Sequence, residues 1–433
     1  VDEWGARLQF AAAAVTHGLF ASTTIGLIVV IAVAQTIGHV RGDARMTALA
    51  RGWAAPYVVI YVLGITAGML LEAQVGLNWS GLVDRAGNVV GAPLTVEVFT
   101  AFVAESTLLA LWTFGWGVLK PKVHLLVVWG IVATAVLSVF WALVANGFMQ
   151  HPQGYDVVDG ELVITDFLAL VSTADVWISL LHVLGASLAV GGLLVAGYGA
   201  LRLRRSTGRW SPVDLAALRT GSVVAAAGTA VALAAGAGSF WYLNSDQPAK
   251  FATITGGASA RDEVAAELVA RYGAGEWLPP AWLLAPAAVM ILLGVVVLAG
   301  AVWGTGMLDE KPLEQSPLLT WLPYAVPLPF VAIACGWVVR EVGRQPWVVQ
   351  GLLRTEDAVT PAGTARVVLT TTLVALLCVA VSVAAVVLVR RTLRRGADHF
   401  DGAVARSGAT DASEVPHVPS PRSAPDPHRT APS

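Results

Sequence analysis

The sequence predicts an all-α fold, a polytopic bundle of about nine transmembrane helices. Three observations lead there. Apolar residues make up 56% of the 433-residue chain and charged residues only 13%, about half the charged share of a soluble domain. The mean hydropathy is +0.68, too apolar for one water-soluble core of this length. The apolar residues also fall in separate runs, each near the ~20 residues that cross a bilayer as a helix.

In order, the candidate spans cover roughly 10–35, 53–74, 94–117, 123–148, 176–201, 220–243, 281–305, 320–342 and 367–390. Isolated strands would leave unpaired backbone groups in lipid, and the alternation of a barrel is missing. The first run is long and lacks a small-residue cleavage site, so it reads as a membrane helix and not as a secretory signal. Basic residues sort by loop: Arg41, Arg45 and Arg51, then Lys120 and Lys122, then Arg202, Arg204, Arg205, Arg209 and Arg219, and finally Arg390, Arg391, Arg394 and Arg395. With nine alternating helices these share one side, while segment 149–175 holds neither Lys nor Arg. The positive-inside rule then puts the C-terminus in the cytoplasm and the N-terminus outside.

Domain organisation reads as one membrane domain, 1–395, followed by a tail, 396–433, whose Ser/Pro/Ala/Asp-rich composition predicts disorder. His399, His417 and His428 lie in that tail and read as solvated linker. Cys335 and Cys378 sit in apolar runs and behave there as small hydrophobes. No CxxC motif is present.

Ionisable side chains inside spans are costly and point to function. The first span carries His17 and the fifth His182. Glu72 closes the second and reads as interfacial. Glu97 and Glu105 share the third, a little over two α-helical turns and about 12 Å apart along the axis. A carboxyl in such a place pairs, protonates or relays protons, and a lone membrane histidine either bonds a neighbouring helix or ligates a metal. From spacing alone the chain is a membrane redox or proton-handling protein.

Longer strings narrow this. Arg7-Leu8-Gln9-Phe10 precedes His17, and Gly76-Leu77-Asn78-Trp79-Ser80 follows the second span. Gly91-Ala92-Pro93-Leu94 leads to Glu97 and to Glu105-Ser106-Thr107. The run from Trp141 to Gln150, WALVANGFMQ, closes the fourth span. Pro327-Leu328-Pro329, Gly336-Trp337 and Gly343-Arg344-Gln345-Pro346-Trp347 come later. In this order the strings resemble subunit I of the cytochrome bd quinol oxidases.

The resemblance implies a respiratory-chain terminal oxidase of the bacterial plasma membrane. It would work with a second membrane subunit, take electrons from membrane quinol through heme, and reduce O2 to water with cytoplasmic protons. No nucleic acid is involved. The implied cofactor is heme b, with heme d left open. His17 would be an axial ligand of a high-spin heme, and His182 would bind the low-spin heme b. Met290 is a candidate partner ligand there, and Arg344 and Trp347 of the GRQPW string would be cofactor-binding. Glu97 would lie against the high-spin hemes and Glu105 on the proton route. Gln247-Pro248-Ala249-Lys250, in a quinol-type loop at about 244–280, would contact quinol, although Lys250 also reads as an ordinary exposed lysine.

Three departures accompany the likeness. Ala334 stands where the family has a glutamate ligand to a high-spin heme. Cys335 is adjacent but turned by about 100° on a helix. No arginine accompanies Met290, which falls a few residues late, and Pro286 offers a kink that would shift the register. Thr255 stands where the quinol loop has a glutamate. The alternative reading is therefore a divergent heme-binding electron-transfer paralogue that lacks normal quinol oxidation. A cofactor-free transporter is disfavoured by the absence of an internal repeat.

Overall fold

The computed structural model describes residues 2–206, 210–310 and 316–411. Among these, nine helices are long and apolar enough to cross a membrane: α1 (Asp2–Arg41), α2 (Ala44–Asn78), α3 (Ser80–Phe114), α4 (Pro121–Gln150), α5 (Ala174–Arg205), α6 (Pro212–Asp246), α7 (Leu284–Glu310), α8 (Pro317–Val342) and α9 (Thr364–Asp411). The expected fold class holds. The helices overrun the sequence-predicted spans because apolar length reports only the part solvated by lipid tails. The 40 residues of α1 make about 60 Å of helix, twice the hydrocarbon core.

α1 and α5 form the centre of the bundle: 72% and 56% of their most apolar windows are buried, against 11% for α9. Small residues permit this. On α5, Gly185, Gly192 and Gly199 recur at heptad spacing and meet Gly228, Gly221 and Asp214 of α6 backbone to backbone. Gly26 of α1 approaches α5 so closely that a Cβ would fall 1.8 Å from the Ser187 carbonyl oxygen. In lipid, where apolar side chains gain nothing by leaving solvent, such close backbone packing is a main source of helix association.

α3 is not one regular helix. Phe99–Glu105 is a π-helical segment lying between Glu97 and Glu105, so the two-turn α-helical spacing expected there is corrected. Eight α-helical steps would leave the two residues roughly 80° apart around the axis. The wider i→i+5 register turns less per residue and swings Glu105 back toward the face of Glu97.

The connections separate by end. Short loops after α1, α3 and α5 lie at the arginine-rich end. The opposite end carries the hairpin β1 (Tyr155–Val158) and β2 (Glu161–Ile164), closed by Asp159 and Gly160, both at positive φ, the left-handed pair a two-residue hairpin turn needs. It also carries loop helices Pro248–Thr255 and Ala258–Tyr272, and the strands β3 (Trp347–Val349) and β4 (Leu353–Arg354). The backbone of 396–411 continues α9 where a disordered tail was expected from 396. Ala397, Ala403, Ala405, Arg406 and Ala409 of that stretch are good helix formers. His399 belongs to that helix, while His417 and His428 lie outside the described residues.

Candidate functional site

One cavity of about 1030 Å³ runs through the bundle, lined by α1, α2, α3, α4, α5, α6, α7 and α8. Its wall brings together His17, Glu97, Glu105, His182, Lys250, Met290 and Arg344. It also takes in Glu72, assigned from sequence to the interface. Gln247 and Trp347 are not part of the wall.

The two histidines are held alike. His17 Nδ1 lies 3.2 Å from the Gly64 carbonyl oxygen of α2, and His182 Nδ1 lies 2.8 Å from that of Ala232 on α6. A carbonyl oxygen only accepts, so each Nδ1 carries the proton and each Nε2 keeps a free lone pair. Metal-ligating histidines are oriented in this way. Space beside them is kept by glycine: a Cβ on Gly68 would sit 3.0 Å from His17 Cε1, and one on Gly236 3.4 Å from His182 Cε1. Met290 Sδ passes close to Gly336 of α8, where a Cβ would lie 3.1 Å away.

The two carboxyls are buried in polar pockets of their own. Ser138 Oγ donates to Glu97 Oε1 at 2.7 Å, and Tyr57 OH donates to Glu105 Oε1 at 3.2 Å. Tyr61, one turn beyond Tyr57, donates to the Ala101 carbonyl inside the π segment at 2.7 Å. Below Tyr57, toward the arginine-rich end, Trp112 Nε1 donates to Gln35 Oε1 at 2.9 Å. Gln35 Nε2 donates to His124 Nδ1 at 2.9 Å, and His124 Nε2 donates to the Trp112 carbonyl at 2.8 Å. That closed ring leaves both His124 nitrogens used, so His124 is structural.

At the opposite end the cavity meets a network of buried charge. Arg340 pairs with Asp175 at 2.8 Å and donates to Ser179 Oγ at 2.8 Å and to Asn146 Oδ1. Asn146 Nδ2 donates to Glu341 Oε1, and Arg344 Nη2 donates to Glu341 Oε2, each at 2.8 Å. Lys250 is 4% exposed, which removes the reading of an ordinary surface lysine. Its Nζ donates to Gln150 Oε1 at 2.7 Å, and its alkyl chain crosses Gly343, where a Cβ would meet Lys250 Cε at 2.6 Å. Burial first, then the Arg340 and Arg344 guanidiniums, pull its pKa down to about 7. Burial also lowers that of Arg344. Gln247 serves this network from behind, donating to the Gln150 carbonyl at 2.7 Å.

Several residues of the quoted strings also tie elements of the fold together. Gln9 accepts from Asn78 and donates to Thr370 and Thr371, tying α1, α2 and α9 together. Trp347 stacks on Trp277 with ring centroids 5.3 Å apart and also meets Tyr272, which pins the 244–280 loop to the β3–β4 hairpin. Ala334 and Cys335 are not part of the cavity wall. Sequence reading passed over Tyr57, Tyr61, Asp175, Arg340 and Glu341. For the last three the available signal was charge inside or at the edge of an apolar run.

The cavity suits a large, flat, carboxylate-bearing cofactor that ligates imidazole. Its volume lies at the upper end for small-molecule sites. Beyond the two free Nε2 atoms, the buried Arg344 Nε and Nη1 and Arg7 Nε have no hydrogen-bond partner among the described residues. Both arginines line the cavity. Buried guanidinium groups left open in this way call for carboxylates, which heme propionates supply. The fold and site thus define a helical membrane protein built around a redox-cofactor chamber.

The comparisons agree. Residues 5–276 and 273–397 match the family described as cytochrome bd terminal oxidase subunit I. The chain is 30% identical to cytochrome bd ubiquinol oxidase subunit 1 of Bacillus subtilis, over 91% of this chain and 94% of that one. It is 34% identical to cytochrome bd-II ubiquinol oxidase subunit 1 of Escherichia coli, over 58% and 49%. The bd oxidase structure from Geobacillus thermodenitrificans shares the fold at TM-score 0.82 and 23% identity, covering 91% of this chain and 98% of that one. The chain belongs to the cytochrome bd terminal oxidase subunit I family. It is a multi-pass membrane subunit of a bd-type oxidoreductase, and the family implies heme cofactors and a further subunit.

Proposed function

We propose that this subunit passes electrons from membrane quinol to oxygen and supplies the protons for water formation from the arginine-rich end, which faces the cytoplasm. A single observation carries the reading: both histidines line one cavity with Nδ1 bonded and Nε2 left free, and the two ends of that cavity hold opposite kinds of group. Lys250, held by Gln150, lies at one end, and Glu97 and Glu105 lie toward the other.

His17 and His182 would hold the hemes, with Met290 as a thioether candidate at the second. Arg7 and Arg344 would take propionates. Heme, b-type with d-type open, supplies the one-electron steps and the site of oxygen binding. The protein does the rest. Lys250, with an amine near neutrality at pH 7, offers a hydrogen bond to a quinol oxygen in its protonated form and a proton acceptor in its neutral form. Gln150 holds that amine in place, and Gln247 holds Gln150. Glu105 takes protons on the arginine-rich side, Tyr57 steadies it, and Glu97 with Ser138 carries the next station toward His17. Low local polarity excludes bulk water and keeps these transfers directed. The second reading, a heme-binding paralogue without quinol turnover, draws on Thr255. Its hydroxyl is spent on the Phe251 carbonyl, and it offers no carboxylate to the quinol end.

The test is a reduced-minus-oxidised optical spectrum of the purified complex, wild type beside His17→Ala and His182→Ala, with quinol-driven oxygen uptake measured on the same samples. Each variant is expected to lose a distinct heme band. A folded wild-type complex with no heme absorbance would sink the oxidase reading. Full heme without quinol oxidation would favour the paralogue.

A further inference from the structure

The ends of α4 and α6 meet side by side at the quinol end of the cavity. Two consecutive residues from each make two parallel pairs. The inner pair, Gln150 and Gln247, is buried and holds Lys250. The outer pair is His151 and Asp246, with Nδ1 to Oδ2 at 3.2 Å and side chains 29% and 19% exposed. Ser245 Oγ donates to Asp246 Oδ1 at 2.9 Å. One turn back on α6, Tyr242 lines the cavity, and its position four residues before Asp246 puts both side chains on one helix face. The His151 and Tyr242 rings meet edge-on at 6.1 Å. Asp175 and Arg340 are the other charged groups that act on Tyr242. Tyr242, Asp246 and His151 therefore cluster between the cavity wall and the surface, at the end away from the arginine-rich loops.

Quinol oxidation needs such a cluster. Each quinol loses two electrons and two protons. The electrons leave one at a time toward the heme side, and the protons must leave by another route if they are not to return inward. Lys250 can accept a proton in its neutral form but is itself buried, and Thr255 carries no titratable group to pass protons outward. We propose that Tyr242, Asp246 and His151 form the proton exit of the quinol site, a proposal that rests on the quinol-oxidase reading. In each step a quinol O–H bond breaks and the Tyr242 oxygen takes that proton while giving its own to Asp246. The Asp246–His151 pair then releases a proton to water at the exposed imidazole. No bond in the protein changes overall, and the quinol's electron pair goes to the hemes.

The experiment compares oxygen uptake by the intact heme-loaded complex driven by quinol with uptake driven by tetramethylphenylenediamine, a one-electron donor that releases no proton. For Asp246→Asn, which keeps the shape of the clasp, the ratio of quinol-driven to amine-driven rates is expected to fall about a hundredfold, the low end for a positioned proton-transfer group. Asp246→Glu is expected to recover most of it. His151→Ala is expected to fall similarly and to regain rate when imidazole is added, a response that a purely structural clasp would not give. An Asp246→Asn ratio equal to wild type would overturn the exit while leaving the quinol reading intact. A wild-type complex with amine-driven but no quinol-driven uptake would overturn both.

Discussion

Replacing Arg340 by Met tests the buried charge network directly. In the native protein Arg340 makes two bonds to Asp175 (3.3 and 2.8 Å) and further bonds to Ser179 and Asn146. Its alkyl volume is nearly preserved in Met, so the loss is electrostatic: the Asp175 carboxylate stays buried without its partner. Stranding one member of a buried pair costs about 3–5 kcal/mol. Asp175 lies in the first turn of α5, where the helix dipole returns about 0.3–1 kcal/mol to a negative charge. The expected net cost is thus about 3 kcal/mol, or roughly 6 °C in melting temperature if each kcal/mol is worth ~2 °C. Thermal unfolding of the purified complex, followed by intrinsic fluorescence, reads it. Asp175→Asn removes the stranded charge, so the double variant should be more stable than Arg340→Met alone, with a coupling of about 2–3 kcal/mol. Additive losses in the two single variants would refute the reasoning, because they would mean that Arg340 and Asp175 do not stabilise one another.

Three further outcomes follow from the same geometry. Tyr57→Phe removes the side-chain partner of Glu105 and should slow amine-driven oxygen uptake about tenfold, less than the ~10²–10⁴-fold of a group that itself transfers the proton, with the heme spectrum unchanged; an unchanged rate would release Tyr57 from the proton route. Lys250 carries an amine whose pKa is drawn down to about 7. As pH rises through that value the acceptor form fills, so quinol turnover should rise with it; Lys250→Met should lose that limb, and its persistence would assign it elsewhere. Gly26→Leu drives a side chain into the α5 backbone, where even a Cβ would stand 1.8 Å from Ser187 O; no assembled, heme-bearing complex is expected in membrane fractions, and normal assembly would contradict the close α1–α5 contact.

Much of this protein was legible in one dimension. A bilayer demands about twenty apolar residues per crossing, so span number follows from composition runs, and nine were read and nine are present among the described residues. His17, Glu97, Glu105 and His182 stood out because an ionisable group among apolar neighbours is expensive whatever surrounds it. Lys250, Met290 and Arg344 came from resemblance, and the cavity wall includes all three. Trp347 came from the same string, lies off that wall and stacks on Trp277. A motif records that a residue is needed, not whether it touches a cofactor or holds up the wall.

Some features were decided only by the tertiary structure. The free nitrogen on each histidine depends on carbonyls from other helices, Gly64 and Ala232, and no local pattern encodes which carbonyl will be adjacent. The π segment that turns Glu105 toward Glu97 arises where the changed register of α3 meets Tyr57 and Tyr61 of α2. The pairing of Arg340 with Asp175, and of His151 with Asp246, joins residues far apart in the chain. Apolar periodicity is a local quantity that the bilayer imposes on each helix separately. Hydrogen bonds between helices depend on their rotation and depth, which are set by close contacts such as Gly26 against Ser187.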